Sequence, residues 1–563
     1  MTTNTNEILN ETSGANKSSE NEEIKETFSI RTPDEKQFFK KIFNYLPLTI
    51  IIVISLLLRL FAAQEAQGFI HPDEVFQSIE MVHYWIYGEY GTGQTIPWEY
   101  NLIYQNGGAR SWFFAFVLVG IYKTAMAFGI YDPIVHIYLA RLFLSLFSII
   151  TVVVAYKFGK EAFNKNVGLL SAFICGIWWF FPFWASRTMT DSISSDFLIL
   201  SIYLIYRTNK ITNFKKKIFY SISAGFLVGL AFIVRFPSAL MGFPLAFTLI
   251  FIAIREFLQM KKTGKVTKKQ ILQLSSPLLF FCLGAFVMVL FQGFLDLFTW
   301  GSFLHSPINF FEYNIIEGNS ARHGTSPWYQ YFVGFYTDYA SYFLLIFLVL
   351  FILGIIFKEK VKTKTYMLII IFYWIIIFSA LAHKEFRFIM TILPLTIILI
   401  SNGVNQIIKL FQNKKLRYSI TALFLMVFIA SSSYIAFYEK YWWWKNNSGI
   451  CNAMYFVGKQ EDAKYLVVCE TVWYTGGYAY LDKNITCDFI RILFYNPYQK
   501  LNSSYYLSLY QEPGTYIIVR ATEIEITRMY PMDIREFLMS QGLSIVSFIG
   551  KYPYVYVFKN MNI

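Results

Sequence analysis

Apolar runs long enough to cross a bilayer, each of roughly twenty residues, recur along this chain and narrow what it can fold into. Inside hydrocarbon every backbone polar group needs a partner, so a lipid-exposed run of this length has to be helical. The candidate spans are 43–63, 135–156, 167–185, 192–207, 218–236, 239–257, 272–296, 331–357, 365–382, 386–408 and 418–438. Hydrophobic residues make up 55% of the chain and charged residues 15%, whereas a soluble domain carries about 25% charge. The sequence therefore predicts a polytopic, all-α membrane protein of about eleven transmembrane helices plus interfacial helices.

The formal net charge is +13. Its lysines and arginines sit in short clusters between the apolar runs: Lys36/Lys40/Lys41, Lys157/Lys160/Lys165, 207–217, 255–269, 358–364 and 409–417. That is the positive-inside pattern rather than the contiguous basic face of a nucleic-acid binder, so no nucleic-acid partner is expected. All the clusters share the cytoplasmic side only if the further apolar run 111–130 does not fully cross. This run is therefore read as an interfacial or re-entrant helix. Residues 1–35, rich in Asn, Glu, Thr and Ser, read as a disordered cytoplasmic tail. The first apolar run then serves as a signal anchor. Residues 36–440 form the transmembrane domain, with a large extracytoplasmic loop at 64–134. Residues 441–563 read as a small extracytoplasmic α/β domain, with strands expected at 465–469, 516–519 and 554–558. Sequons at Asn446, Asn484 and Asn502 agree with that placement. Cys451, Cys469 and Cys487 leave room for one disulfide there.

The same topology collects polar residues on the extracytoplasmic face. His71, Pro72, Asp73 and Glu74 lie just beyond the first span, followed by Gln77 and Glu80. A helix starting near Asp73 puts Asp73, Gln77 and Glu80 on one face. A carboxylate at the edge of a low-dielectric pocket suits a general base; the acidic pair equally suits the positive end of an interfacial helix. Spacing alone leaves both open. Arg110, Arg187, Arg235, Lys384 and Arg387 bring cations to this face, as a lipid phosphate or a phosphate leaving group requires. Arginines at span ends also reach headgroups without further role. His383, Lys384, Glu385 and Arg387 are four titratable residues in five, costly between apolar runs unless used. Trp98 and Glu99, with Tyr100 and Trp328, have the composition of a sugar-binding surface, although interfacial anchoring explains the tryptophans too. His136 reads as structural, and Trp442, Trp443 and Trp444 as an interfacial belt. His305, His323 and the cysteines lack metal-ligand spacing, so neither metal nor cofactor is expected.

In this order, the strings His71-Pro72-Asp73-Glu74, Trp98-Glu99-Tyr100, Arg110-Ser111, Arg187-Thr188 and His383-Lys384-Glu385-Phe386-Arg387-Phe388 resemble the GT-C superfamily of polyprenyl-phosphate-sugar transferases. Within it the chain is similar to the dolichyl-phosphate-mannose α-mannosyltransferases of glycolipid assembly, which include the GPI and late N-glycan-precursor enzymes. The first and last strings look most like those of the GPI third-mannose enzymes. The resemblance implies an inverting transfer of mannose from dolichyl-phosphate-mannose to a lipid-linked glycan, without a metal, by a monomer among membrane lipids. It implies Asp73 as general base with Glu74 its neighbour, and His383, Lys384 and Arg387 at the donor phosphate with Arg110 or Arg187. His71, Gln77, Glu80, Trp98 and Glu99 complete the implied substrate-binding set. The implied location is the endoplasmic reticulum, or the cytoplasmic membrane in a prokaryote, with the site on the lumenal or extracytoplasmic face. The chain departs from the family at Thr95 to Trp98, where two extra residues intervene, and at Thr190-Asp191, where relatives carry Asn. These departures bear on the acceptor. An N-glycan-precursor acceptor, another sugar donor, or a lipid or solute transporter are the alternative readings; no internal repeat supports the last.

Overall fold

The computed structural model describes residues 33–91, 99, 107–340, 344–490, 501–522, 533–550 and 554–561, with backbone alone at 33–44, 263, 323, 338–340 and 344. The chain divides into two compact units, Met1–Val53 and Ile54–Ile563. The described part of the first unit is helical.

Among the described residues, eight helices are long and apolar enough to cross a membrane: Tyr45–Glu65, Pro133–Ala162, Phe214–Val234, Phe236–Lys262, Lys268–Thr299, Val361–Ala380, Phe386–Leu410 and Lys414–Glu439. They make the chain an integral membrane protein. The other three expected spans take different forms. The run 167–185 breaks at Trp178, between helices Lys165–Ile177 and Phe180–Ala185. Thr190–Thr208 is one helix of 19 residues, but it carries Asp191, Asp196 and Arg207 and is packed inside protein on most of its surface. The run 331–357 divides into Gln330–Gly334, a wide π turn at Phe335–Ala340, and Leu344–Ile356. The run 111–130 forms the 16-residue helix Trp112–Ala127, capped by Ser111, whose Oγ accepts from the Phe113 N–H. At about 1.5 Å per residue this is roughly 24 Å, short of a hydrocarbon core about 30 Å thick.

Small residues let the helices approach. A Cβ on Gly225 would lie 1.8 Å from the Phe281 carbonyl, and one on Gly284 would lie 2.2 Å from that of Ile222. Helices Phe214–Val234 and Lys268–Thr299 therefore touch backbone to backbone, as membrane helices do where no hydrophobic effect drives association.

The C-terminal region carries a five-stranded mixed sheet of β1 (Tyr465–Val468), β2 (Thr486–Phe489), β3 (Thr515–Arg520), β4 (Leu543–Ile549) and β5 (Val555–Asn560). The order is β2-β1-β3-β5-β4, parallel for β2-β1-β3 and antiparallel for β3-β5-β4. The three expected strands are β1, β3 and β5. β2 has only four residues, and β4 has a bulge between Ile545 and Ser547 that breaks its alternation. One sheet face, with Leu466, Val468, Cys487 and Val557, joins a single apolar core with Phe69, Val75, Met81 and Trp112 from the first loop. The opposite face, with Val467, Cys469 and Val519, packs on the region's own helices. Cys469 and Cys487 thus lie on opposite faces, and both are buried, as is Cys451.

Candidate active site

The helix after Pro72 opens with Asp73, widens into a π turn over Val75–Ile79, and continues as Glu80–Tyr87. The wide turn adds a residue to the repeat. Asp73 and Gln77 keep the expected common face, and Gln77 Nε2 donates to Asp73 Oδ1 at 2.7 Å. Glu80 is rotated off it. Its carboxylate is buried and accepts the N–H groups of Tyr478 at 3.2 Å and Ala479 at 2.8 Å.

Residues 314 positions apart meet at Asp73. Arg387 Nη2 donates to Asp73 Oδ2 at 2.8 Å. The same guanidinium holds Glu385, through Nε at 2.7 Å and Nη2 at 2.9 Å, and faces Asp191 across 3.6 Å. Short 3-10 geometry at Phe386–Ile392 lets Arg387 enter the protein at the start of a span. His71 closes the ring, with Nδ1 3.3 Å from Asp73 Oδ2 and Nε2 3.6 Å from Glu385. His71 Nδ1 is also 3.2 Å from the Asp73 amide. A protonated ring donates to the carboxylate; a neutral one accepts from the amide. Burial opposes ionisation of Asp73, but His71 and Arg387 outweigh it and hold its carboxyl well below the usual range. Glu385 is held low against burial by Arg387, His383 and His71. His383 is raised by its 2.9 Å hydrogen bond to Glu385, and its other ring nitrogen lies 3.0 Å from the Gly324 carbonyl. Lys384 Nζ donates to the carbonyls of Ser326, at 2.9 Å, and Leu381.

Glu74 turns the other way. Its Oε1 accepts the amides of Ile70 at 2.7 Å and His71 at 3.3 Å, while Oε2 faces Arg187 Nη1 at 3.8 Å with both side chains fully buried. Arg187 donates to the carbonyls of Trp443 and Trp444 and stacks on Phe183. Trp443 and Trp444 are accordingly buried rather than a belt. Glu99 is buried too, 3.7 Å from Arg110 Nε, and burial pushes its carboxyl up to about 7 despite Arg110. Trp98 and Tyr100 lie outside the described residues. His136 is buried, bonded to the Ile130 carbonyl and packed on Tyr122. His305 bonds the Gly107 carbonyl at 2.8 Å and helps fix the loop before Arg110.

Asp191 and Arg235 complete the cluster. Asp191 Oδ1 is 2.7 Å from Arg235 Nε and Oδ2 is 3.6 Å from Arg387 Nη1, so one buried carboxylate sits between two arginines. Sequence reasoning did not select Asp191, because a lone acid at a helix start reads as a cap; it placed Arg235 among the cations of this face but left open whether it serves a phosphate or only a headgroup. The Asp191 position was visible as a departure from the family string.

A helical membrane bundle with this loop and a terminal sheet defines the GT-C class of fold. ArnT from Cupriavidus metallidurans, bound to undecaprenyl phosphate, aligns with a TM-score of 0.55 at 10% identity, over 92% of this chain and 98% of that one. The oligosaccharyltransferase of Archaeoglobus fulgidus tethered with an acceptor peptide aligns at 0.50 and 12%, over 93% and 75%. At such identities the likeness is one of fold. Residues 50–481 match the Alg9-like mannosyltransferase family, and the chain belongs to that family. Its relatives include Mannosyltransferase APTG1 of Arabidopsis thaliana, 27% identical over 355 residues (62% of this chain, 57% of the relative). Human GPI alpha-1,2-mannosyltransferase 3 is 25% identical over 346 residues (61% and 55%). The chain thus spans somewhat more than half the length of these curated relatives.

Proposed function

We propose that the chain transfers mannose from dolichyl-phosphate-mannose to a hydroxyl of a lipid-linked glycan, of the GPI type, on the lumenal side of the endoplasmic reticulum membrane. The observation that carries this reading is the 2.8 Å pairing of Asp73 with Arg387, which joins the two most family-specific strings in one cluster. Asp73 is anionic, and its side chain keeps 24% exposure, enough for a hydroxyl to reach it. The acceptor oxygen attacks mannose C1 as its proton passes to Asp73. The bond from C1 to the phosphate oxygen breaks with inversion, and dolichyl phosphate departs with the electron pair. The arginines around Asp73 offset the charge growing on that phosphate, where one such donor is worth about 3–4 kcal/mol of barrier. Glu74, Glu80 and Arg187, occupied by backbone groups and one another, hold the loop in shape.

Purified protein incubated with labelled dolichyl-phosphate-mannose and a panel of GPI-type and N-glycan-type lipid-linked acceptors tests the reading. Transfer to a GPI-type acceptor is expected, and Asp73→Asn should slow it about 100- to 10,000-fold, the usual worth of a general base. Transfer at the wild-type rate by Asp73→Asn removes Asp73 as the base. Solute uptake without transfer to any acceptor would favour a transporter.

A further inference from the structure

We infer that Arg235, rather than Arg387, makes the direct contact to the phosphate of the polyprenyl donor, an inference that rests on the donor class proposed above. Arg387 faces three carboxylates, Asp73, Glu385 and Asp191, and its Nη1 also meets the Met189 sulfur at 3.6 Å. An incoming phosphate reaches Arg387 only by displacing a carboxylate that the reaction needs in place. Arg235 is differently disposed. Its Nε lies 2.7 Å from Asp191 Oδ1, and Phe388 supports the face of its guanidinium at 4.6 Å. Nη1 and Nη2 donate no hydrogen bond to any described residue. A guanidinium fixed by its inner nitrogen and stacked on a ring presents two parallel donors at a set angle, the geometry that grips a phosphate through two oxygens.

The surroundings match. Arg235 sits where helix Phe214–Val234 ends and the next turn begins, with its side chain 13% exposed, at the boundary a lipid-borne phosphate occupies. Phe236, the next residue, packs on Phe310 with ring centroids 5.6 Å apart, and Arg110 lies over that same Phe310 ring at 5.1 Å. Arg110 therefore approaches from a second side, with its side chain 30% exposed and only the buried Glu99 paired to it among the described residues. Two cations with spare donors thus lie close to one another while Arg387 stays with the base. Asp191 holds Arg235 and Arg387 in fixed relation, so the leaving phosphate and Asp73 keep a constant separation.

The test is binding of labelled dolichyl phosphate to the purified full-length protein in detergent, with unphosphorylated dolichol as the competitor that lacks the recognised group. Arg235→Gln should weaken dolichyl phosphate binding about 10- to 100-fold, as loss of a charge-assisted bidentate contact does. Arg235→Lys keeps the charge but not the fork and should fall between it and wild type, which preserves the test if the glutamine variant does not fold. Arg387→Lys should leave the affinity within about three-fold of wild type while turnover collapses. Arg235 variants that bind within about two-fold of wild type, or an Arg387 variant that loses as much affinity as Arg235→Gln, overturn the inference. A wild-type protein that binds dolichol and dolichyl phosphate equally removes the donor class itself, a failure of the proposed function rather than of the Arg235 assignment.

Discussion

Glu99 and Asp73 are carboxyls of one site that their surroundings drive in opposite directions. Glu99 is 2% exposed and raised by burial to about 7, whereas His71 and Arg387 hold Asp73 low. A carboxyl raised on folding contributes stability that is fully present below its unfolded pKa of about 4.3 and lost as pH rises through the folded value. The thermal midpoint of the protein in detergent should therefore carry a downward component between about pH 4.3 and 7 that Glu99→Gln abolishes. An unchanged slope in that variant would exclude the buried, proton-binding Glu99. Asp73 contributes in the other sense, stabilising at neutral pH and ceasing to do so only in strong acid. Glu74 tests a third environment: Glu74→Ala leaves Arg187 buried without its counter-charge, which should cost about 3–5 kcal/mol, seen as a lowered denaturation midpoint. At this scale the sequence was legible wherever residues were adjacent. The 71–74 and 383–387 strings are local, and the cluster they form follows from putting both on one membrane side. The sharing of Asp191 between Arg235 and Arg387 depends on how three helix ends are rotated toward one another, which residue order does not encode.

Between neighbouring helices the decisive residues are those without side chains. Gly225 and Gly284 let Phe214–Val234 and Lys268–Thr299 meet at backbone distance, whereas Gly120, in Trp112–Ala127, has nothing within 4 Å of where a Cβ would stand. Gly225→Ala should lower stability by about 1–3 kcal/mol through overpacking. Gly120→Ala should be neutral or stabilising by up to about 1 kcal/mol from helix propensity. Equal midpoints for the two variants would show that the close approach is not maintained in the membrane protein. Elements were legible in proportion to the strength of their period. Long apolar runs gave helices, but hydropathy does not register a break such as Trp178, whose backbone leaves helical geometry at ψ 120° inside an apolar stretch. The π turn at Val75–Ile79 was equally hidden, and it is what sends Glu80 away from Asp73.

Over the whole molecule, the C-terminal sheet and the first loop share one core, so neither is complete without the other. Leu466, Val468, Cys487 and Val557 pack with Phe69, Val75 and Met81 beneath the helix that carries Asp73. The polar fastenings cross the same junction. Glu80 accepts two N–H groups from Tyr478 and Ala479, and Arg141 donates to the carbonyls of Ala66 and Gly68 and to the Tyr480 hydroxyl. Gly477, at φ +60° with Glu80 Oε2 2.6 Å from its would-be Cβ, admits no side chain there. Composition could announce an α/β region after the last span, yet not that it forms the floor of the loop, because contacts across about 400 residues leave no period in the sequence. A chain ending at Glu439 should therefore fail to give a monodisperse protein in detergent, since it exposes the apolar underside of the helix that carries Asp73. Glu80→Ala in the full chain is the milder form of the same cut. It strands two buried N–H groups at about 1–3 kcal/mol each, so limited proteolysis should release the C-terminal region faster while the proposed binding of dolichyl phosphate is kept. A truncated chain that melts at the wild-type temperature and still transfers mannose would mean that the loop is held by the membrane bundle alone.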